Sequence, residues 1–134
     1  MEQTVFTILQ KIHKLQKGQA PLVIAIDGRC GAGKTTLAQN LSQELSCSVI
    51  HLDHFFLRPQ QRTPERLKQA GGNFDRERFL SEVIPFLRQN QPFSYRPFDC
   101  KTQTLSEPVM VKPDNLVIVE GPIAVIRPFS RFMI

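Results

Sequence analysis

The sequence predicts an α/β fold in which a parallel sheet is flanked by helices. Three observations carry this reading. Strand-like runs at Leu22 to Ile26, Ser48 to Leu52 and Leu116 to Val119 are short and bounded by chain-breaking residues; the first and third are fully apolar, as strands buried on both faces are. Helical patterns lie between the runs, giving the alternating rhythm of a parallel sheet. A glycine-rich segment, Gly28 to Thr35, joins the first run to a helix, where such sheets carry phosphate-binding turns.

The elements follow in order. Val5, Ile8, Leu9, Ile12 and Leu15 recur at helical spacing, and Gly18 can close that helix in a left-handed cap. Ala20-Pro21 breaks the chain before the first strand. Gly33 to Leu45 reads as a helix with Leu37, Ala38, Leu41 and Leu45 on one face. Thr63-Pro64-Glu65 has the form of a cap with proline at the first helical position, in a helix ending at Gly71-Gly72. Asp75 can cap a further helix carrying Phe79, Leu80, Val83 and Leu87, which Pro85 should kink or split. Val109 to Val111 is a small strand before a Pro113-Asp114-Asn115 turn.

At 134 residues the chain has room for one domain, taken as 1–134. Its 41% hydrophobic content can form a core without disulfide or metal staples. No apolar stretch approaches the roughly 18 residues of a membrane span, and no secretory signal opens the chain. A cytoplasmic location with no membrane partner is therefore expected. Cys30, Cys47 and Cys100 form neither a CxxC pair nor a zinc spacing, so reduced thiols are expected. The formal charge of +5 suits a phosphate-bearing partner. The basic residues are scattered and not interleaved with aromatics, so nucleic acid is not expected.

Gly28-Arg29-Cys30-Gly31-Ala32-Gly33-Lys34-Thr35 fits G-x-x-x-x-G-K-[ST] at every fixed position, with Thr36 following. Glycines let successive backbone amides turn inward as a nest for phosphate oxygens, and the helix opening near Gly33 adds its positive end. Lys34 can reach the β and γ phosphates, and the Thr35 hydroxyl can ligate Mg2+. The segment is a P-loop, following a predicted strand and opening a predicted helix.

Three carboxylates join it. Asp53 lies just beyond the second strand, in His51-Leu52-Asp53-His54-Phe55-Phe56, where α/β sheets bind ligands. There it can take a proton from an attacking hydroxyl or orient the water shell of a metal. Glu120 ends the third strand and faces the same crevice, suited to a Mg2+-bound water. Asp75, in Asn73-Phe74-Asp75, can grip substrate hydroxyls as well as cap its helix. His51 and His54 stand three apart on an extended segment, which favours structural or surface roles over a metal site.

The P-loop, the Asp53 stretch, the Asn73-Phe74-Asp75 step, the Phe98-Asp99 segment and Glu120-Gly121 resemble, in that order, the uridine kinase-like proteins, a group allied to pantothenate kinase and phosphoribulokinase. The resemblance covers roughly residues 20 to 121, between an N-terminal helix over 1–18 and a divergent tail over 122–134. It implies a P-loop NTPase-type sheet and ATP-dependent transfer of the γ-phosphoryl to a hydroxyl of a small metabolite. Asp53 then corresponds to the general base, Lys34 and Thr35 to the phosphate and Mg2+ contacts, and Glu120 to the second acid near the metal. Asp75 corresponds to the acid that holds sugar hydroxyls. Phe98 stands where the family often has a tyrosine lining the base pocket, and Gln103 where nucleoside kinases have a histidine; both departures weaken the case for uridine itself.

The Asn-Lys-x-Asp signature of GTPases and the Leu-Ser-Gly-Gly-Gln signature of transporter ATPases are absent from the sequence. The resemblance also implies further strands and an arginine-bearing lid after Glu120-Gly121, whereas the chain ends at Ile134. A C-terminally truncated member is therefore expected, its sheet incomplete on that side. Its P-loop strand would then form an exposed apolar edge that invites self-association. Two readings stay open: a small-molecule kinase, or a nucleotide-binding fragment without catalysis.

Overall fold

The computed structural model describes residues 7, 22–27, 34–113, 116–123, 125 and 126, with the backbone alone at 34–36. The expected N-terminal helix lies outside the described residues except for Thr7, which is helical. The P-loop residues Gly28 to Gly33 and the tail beyond Ile126 lie outside them as well.

Three parallel strands form the main sheet: β1 (Leu22–Asp27), β2 (Ser48–His51) and the last in sequence, β7 (Leu116–Gly121), which lies between them. Every residue of β7 is buried, as its unbroken apolar run requires. Alternation along the strand then separates two cores. Leu116 and Ile118 pack with Ile24 against Ala38 and Leu41 of helix α1 (Lys34–Leu45). Val117 and Val119 pack with Val23, Ile50, Leu52, Phe55 and Phe79 on the other face. Among the described residues β1 pairs only with β7, so its outer edge has no partner there.

The second core rests on elements between β2 and β7. A short 3₁₀ turn, Leu52–Phe55, follows β2 directly and buries Leu52 and Phe55. A second turn, Pro59–Gln61, leads to α2 (Pro64–Leu67), capped by Thr63, whose side chain accepts from the Arg66 backbone N–H. That helix is shorter than the Thr63-to-Gly71 reach expected from sequence. The reason is Arg66, whose guanidinium donates to the Gly72 and Phe74 carbonyls and folds the chain back. Gly72 is required in this closure, since a Cβ there would fall 1.9 Å from the Arg66 carbonyl oxygen.

The helix expected after Asp75 forms in two pieces, α3 (Arg76–Glu82) and α4 (Ile84–Arg88), with Pro85 in the first turn of the second. Two small antiparallel pairs complete the layer. The strand β3 (Phe93–Tyr95) pairs with β6 (Val109–Val111), and β4 (Phe98–Asp99) with β5 (Thr104–Leu105). The aromatic residues Phe55, Phe74, Phe79 and Tyr95 meet with ring centroids 4.9–6.3 Å apart and tie these elements to the turn after β2. Cys47 and Cys100 are free thiols. No helix among the described residues is long and apolar enough to cross a membrane.

Candidate active site

Strand register builds the centre of the site. Ile26, Glu120 and His51 stand opposite one another on β1, β7 and β2, and paired positions on parallel strands share a face. Counting back along β7, Glu120 lies on the side of Leu116 and Ile118, the side α1 covers. This is the end of the sheet at which β1 leads toward the P-loop and α1 begins.

His51 donates from Nδ1 to Glu120 Oε1 at 2.6 Å. The Glu120 side chain is only 7% exposed, and its second oxygen, Oε2, is buried without a partner among the described residues. Asp53, exposed on the 3₁₀ turn, completes a cluster in which one ligand atom each from His51, Asp53 and Glu120 lies within 4.8 Å of the others. The convergence of Asp53 and Glu120 expected from the strand ends is therefore present, and His51 joins it. The histidine spacing in sequence does not show the pairing of His51 with Glu120, because that partner lies on another strand. Strand register was the signal that could have found it.

Gly121 fixes how closely the turn and strand approach. Its φ is +139°, and a Cβ there would lie 2.8 Å from Leu52 Cβ. Leu52 precedes Asp53, so this contact sets the height of the turn over the end of β7. The neighbouring His54 shares a hydrogen bond with the Tyr95 hydroxyl at 2.8 Å and sits with its ring 5.1 Å from that of His51. Burial holds His54 below its usual pKa, opposed by the charge of Asp53. Burial likewise pushes the Tyr95 phenol up, keeping it protonated at neutral pH.

Asp75 reaches the same neighbourhood from the other side. Its backbone N–H donates to the Phe55 carbonyl at 2.6 Å, joining it to the turn that carries Asp53. The side chain is wholly buried; Oδ1 accepts from the Arg78 N–H as the cap of α3, while Oδ2 has no partner among the described residues. The cap expected from sequence is formed. Arg78, which sequence reasoning missed, is also buried; it donates to Glu82 and the Arg96 carbonyl, leaving Nη1 without a partner among the described residues. Its guanidinium carbon lies 5.1 Å from the centre of the Phe55 ring. Phe98 is buried on β4 beneath the guanidinium of Arg62, at 5.8 Å. Gln103 donates to the Cys100 carbonyl and keeps Oε1 buried without a partner among the described residues. Gly28, Arg29, Cys30, Gly31, Ala32 and Gly33 and the side chains of Lys34, Thr35 and Thr36 lie outside what is described.

Comparison with known proteins gives these positions a setting. A uridine kinase of Oceanobacillus iheyensis is 34% identical over 112 residues, covering 77% of this chain and 52% of the relative. One from Latilactobacillus sakei is 27% identical over 110 residues. The solved structure of a possible uridine kinase from Bacillus stearothermophilus superposes with a TM-score of 0.73 at 26% identity, covering 99% of this chain and 80% of that one. The chain belongs to the uridine kinase-like family of P-loop kinases. It spans about half the length of the curated relatives it matches. The shikimate kinase family model matches residues 30–89, a stretch that begins in the P-loop and ends just after α4. A D-glycerate 3-kinase from Cryptococcus neoformans shares the fold, with a TM-score of 0.62 at 19% identity, 91% of this chain and 52% of that one being covered. In this uridine kinase-like chain, the P-loop NTPase-type parallel sheet expected from sequence is the observed architecture.

Proposed function

We propose that the chain transfers the γ-phosphoryl of ATP to a hydroxyl of a small, nucleoside-like metabolite. The observation that carries this is the meeting of Asp53 and Glu120 at the end of the sheet where the P-loop begins. Phosphoryl transfer needs little covalent help from a protein; it needs the phosphates held, charge neutralised and the attacking hydroxyl aligned. The P-loop from Gly28 through Thr36 supplies the phosphate nest in this reading, with Lys34 on the β and γ phosphates. Asp53 is free to accept the proton of the attacking hydroxyl, being exposed and set on a short turn rather than locked in a core. In this reading the Asp75 oxygen Oδ2, without a partner among the described residues, accepts from acceptor hydroxyls, and Phe98 lines the acceptor side.

The donor set also fits a divalent cation. Glu120 keeps a buried carboxylate oxygen without a partner beside the exposed carboxylate of Asp53, an arrangement of negative charge that a cation compensates. Thr35 and Glu120 would hold Mg2+, which supplies charge neutralisation between the phosphates when bound. The same reading treats residues 1–134 as one kinase-like domain, working in the cytoplasm and able to associate through the outer edge of β1.

The test is turnover of purified protein with Mg·ATP against nucleosides, pantothenate and sugar phosphates, with Lys34→Ala as the control. Phosphorylation of one acceptor, abolished in the variant, supports the reading. Nucleotide binding without turnover on any acceptor replaces it with the non-catalytic binder.

A further inference from the structure

We infer that His51, Asp53 and Glu120 form a site for a divalent transition-metal ion of the Mn2+, Co2+ or Zn2+ class, with the His51 imidazole as a direct ligand. The inference rests on the kinase reading for its place in a reaction, but on the donor set alone for its chemistry.

A site meant only for Mg2+ is made of oxygen atoms, because that ion binds imidazole poorly. Here a nitrogen donor is built into the centre of the cluster. The position follows from register: His51 and Glu120 are strand partners, so the ring cannot swing away without breaking a 2.6 Å contact. Two ligands at right angles on an ion with bonds of about 2.1 Å stand about 3 Å apart. Exchanging the shared proton for an ion therefore requires Nδ1 and Oε1 to part by only about 0.4 Å. The spread of 4.8 Å across the three donors closes by rotation of Asp53, which is exposed.

Two further observations separate this cluster from an ordinary histidine–glutamate pair. The Glu120 side chain is more than nine-tenths buried, and its Oε2 is left without a partner among the described residues. A buried carboxylate oxygen without a donor is costly, and native structures hold few of them. The cluster also carries two carboxylates against one imidazole, so its charge is matched by an ion of charge two rather than by a protonated ring alone.

The experiment uses the whole chain without nucleotide. Mn2+ is titrated by electron paramagnetic resonance, and the bound ion is examined for nitrogen modulation in its spin echo, which reports an imidazole ligand directly. One bound Mn2+ with nitrogen modulation is expected, held roughly tenfold or more tighter than Mg2+ in competition. His51→Asn should remove the modulation and roughly tenfold of the Mn2+ affinity, leaving Mg2+ affinity nearly unchanged. Absence of bound Mn2+, bound Mn2+ without nitrogen modulation, or a modulation that survives in His51→Asn would each overturn the inference. Should His51→Asn fail to fold, Asp53→Asn serves instead: it must weaken Mn2+ binding while keeping the modulation, and unchanged affinity overturns the inference. The two readings fail separately. Nitrogen-ligated Mn2+ without phosphoryl transfer removes the kinase, whereas transfer with Mg2+ and no nitrogen-ligated Mn2+ removes only the metal proposal.

Discussion

Glu120 and Asp75 are both buried acids, and among the described residues each has one oxygen engaged and one without a partner, yet the engaged oxygens do different work. Glu120 accepts from a side chain, the imidazole of His51. Asp75 accepts from the backbone at the start of α3, where a cap is part of what makes the helix form. In the proposed kinase, changing the exposed Asp53 beside Glu120 therefore alters chemistry with little effect on folding. Changing Asp75 alters both. An acid at a strand end is positioned by register, which the sheet maintains whatever the side chain is; an acid at a cap takes part in maintaining its own position.

The largest effect should come at the strand-end cluster. Asp53→Asn keeps the size of the side chain and removes the proposed base. Turnover should fall by roughly 10²–10⁴-fold, the usual contribution of general-base catalysis. The urea midpoint should stay close to wild type, since Asp53 is exposed. A loss of stability that parallels the loss of turnover would show that this end of the sheet is as structural as the cap.

Next comes Gly121→Ala, which attacks the same cluster through the backbone. The added Cβ meets Leu52 at 2.8 Å, and φ of +139° is unfavourable for alanine. A destabilisation of about 3 kcal/mol is expected, read from denaturant unfolding. Because Leu52 carries the turn, turnover should fall as well. Unchanged turnover in the folded fraction would mean that the height of the turn does not matter.

Most of this geometry was legible where one residue type serves one local purpose. The apolar β7 run, the Thr63 cap and the split at Pro85 are local rules, and the elements formed at those places. The strand-end positions of Asp53 and Glu120 followed from where the runs stop. What was not legible depends on register and long-range closure. His51 meets Glu120 across 69 positions of sequence, a pairing that only strand alignment fixes. Arg66 shortens its own helix by bonding carbonyls beyond it, and no propensity encodes that. The two-residue strands β4 and β5 carry no periodicity to read, although they position Phe98. Arg78 carries no motif to read, and only its burial, its bond to the Arg96 carbonyl and its place over the Phe55 ring set it apart.

The cap can be divided into its two roles. Asp75→Asn keeps an oxygen for the Arg78 N–H, and asparagine caps as well as aspartate, so stability should hardly move. The charge proposed to hold the acceptor is lost, and KM for the hydroxylated acceptor should rise about tenfold while KM for ATP stays level. Asp75→Ala should add a stability loss of about 1–2 kcal/mol. If Asn and Ala behave alike in stability, the cap contributes nothing, and Asp75 belongs with Glu120 in the comparison.

The smallest effect concerns protons. His54 lies beside both Asp53 and Tyr95, and its folded pKa is lowered below 6.5, mainly by burial. Asp53 and Glu120 act against that shift, and His51 adds to it. A histidine with a lowered folded pKa binds fewer protons folded than unfolded, so unfolding takes up protons as the pH falls through the window beneath 6.5. Its contribution is complete above the unfolded pKa and is lost toward the folded one. Wild type should therefore lose more stability between about pH 7.5 and pH 5 than His54→Gln, which keeps a hydrogen-bonding partner for Tyr95 but cannot titrate. The difference should be small, because His54 is only half-buried and its carboxylate neighbours oppose the shift. Denaturant unfolding at the two pH values reads it. A steeper acid loss in His54→Gln than in wild type would mean that the carboxylates at the strand ends, and not burial, govern this histidine, which would bring it into the cluster of Glu120 rather than leave it as a packed neighbour.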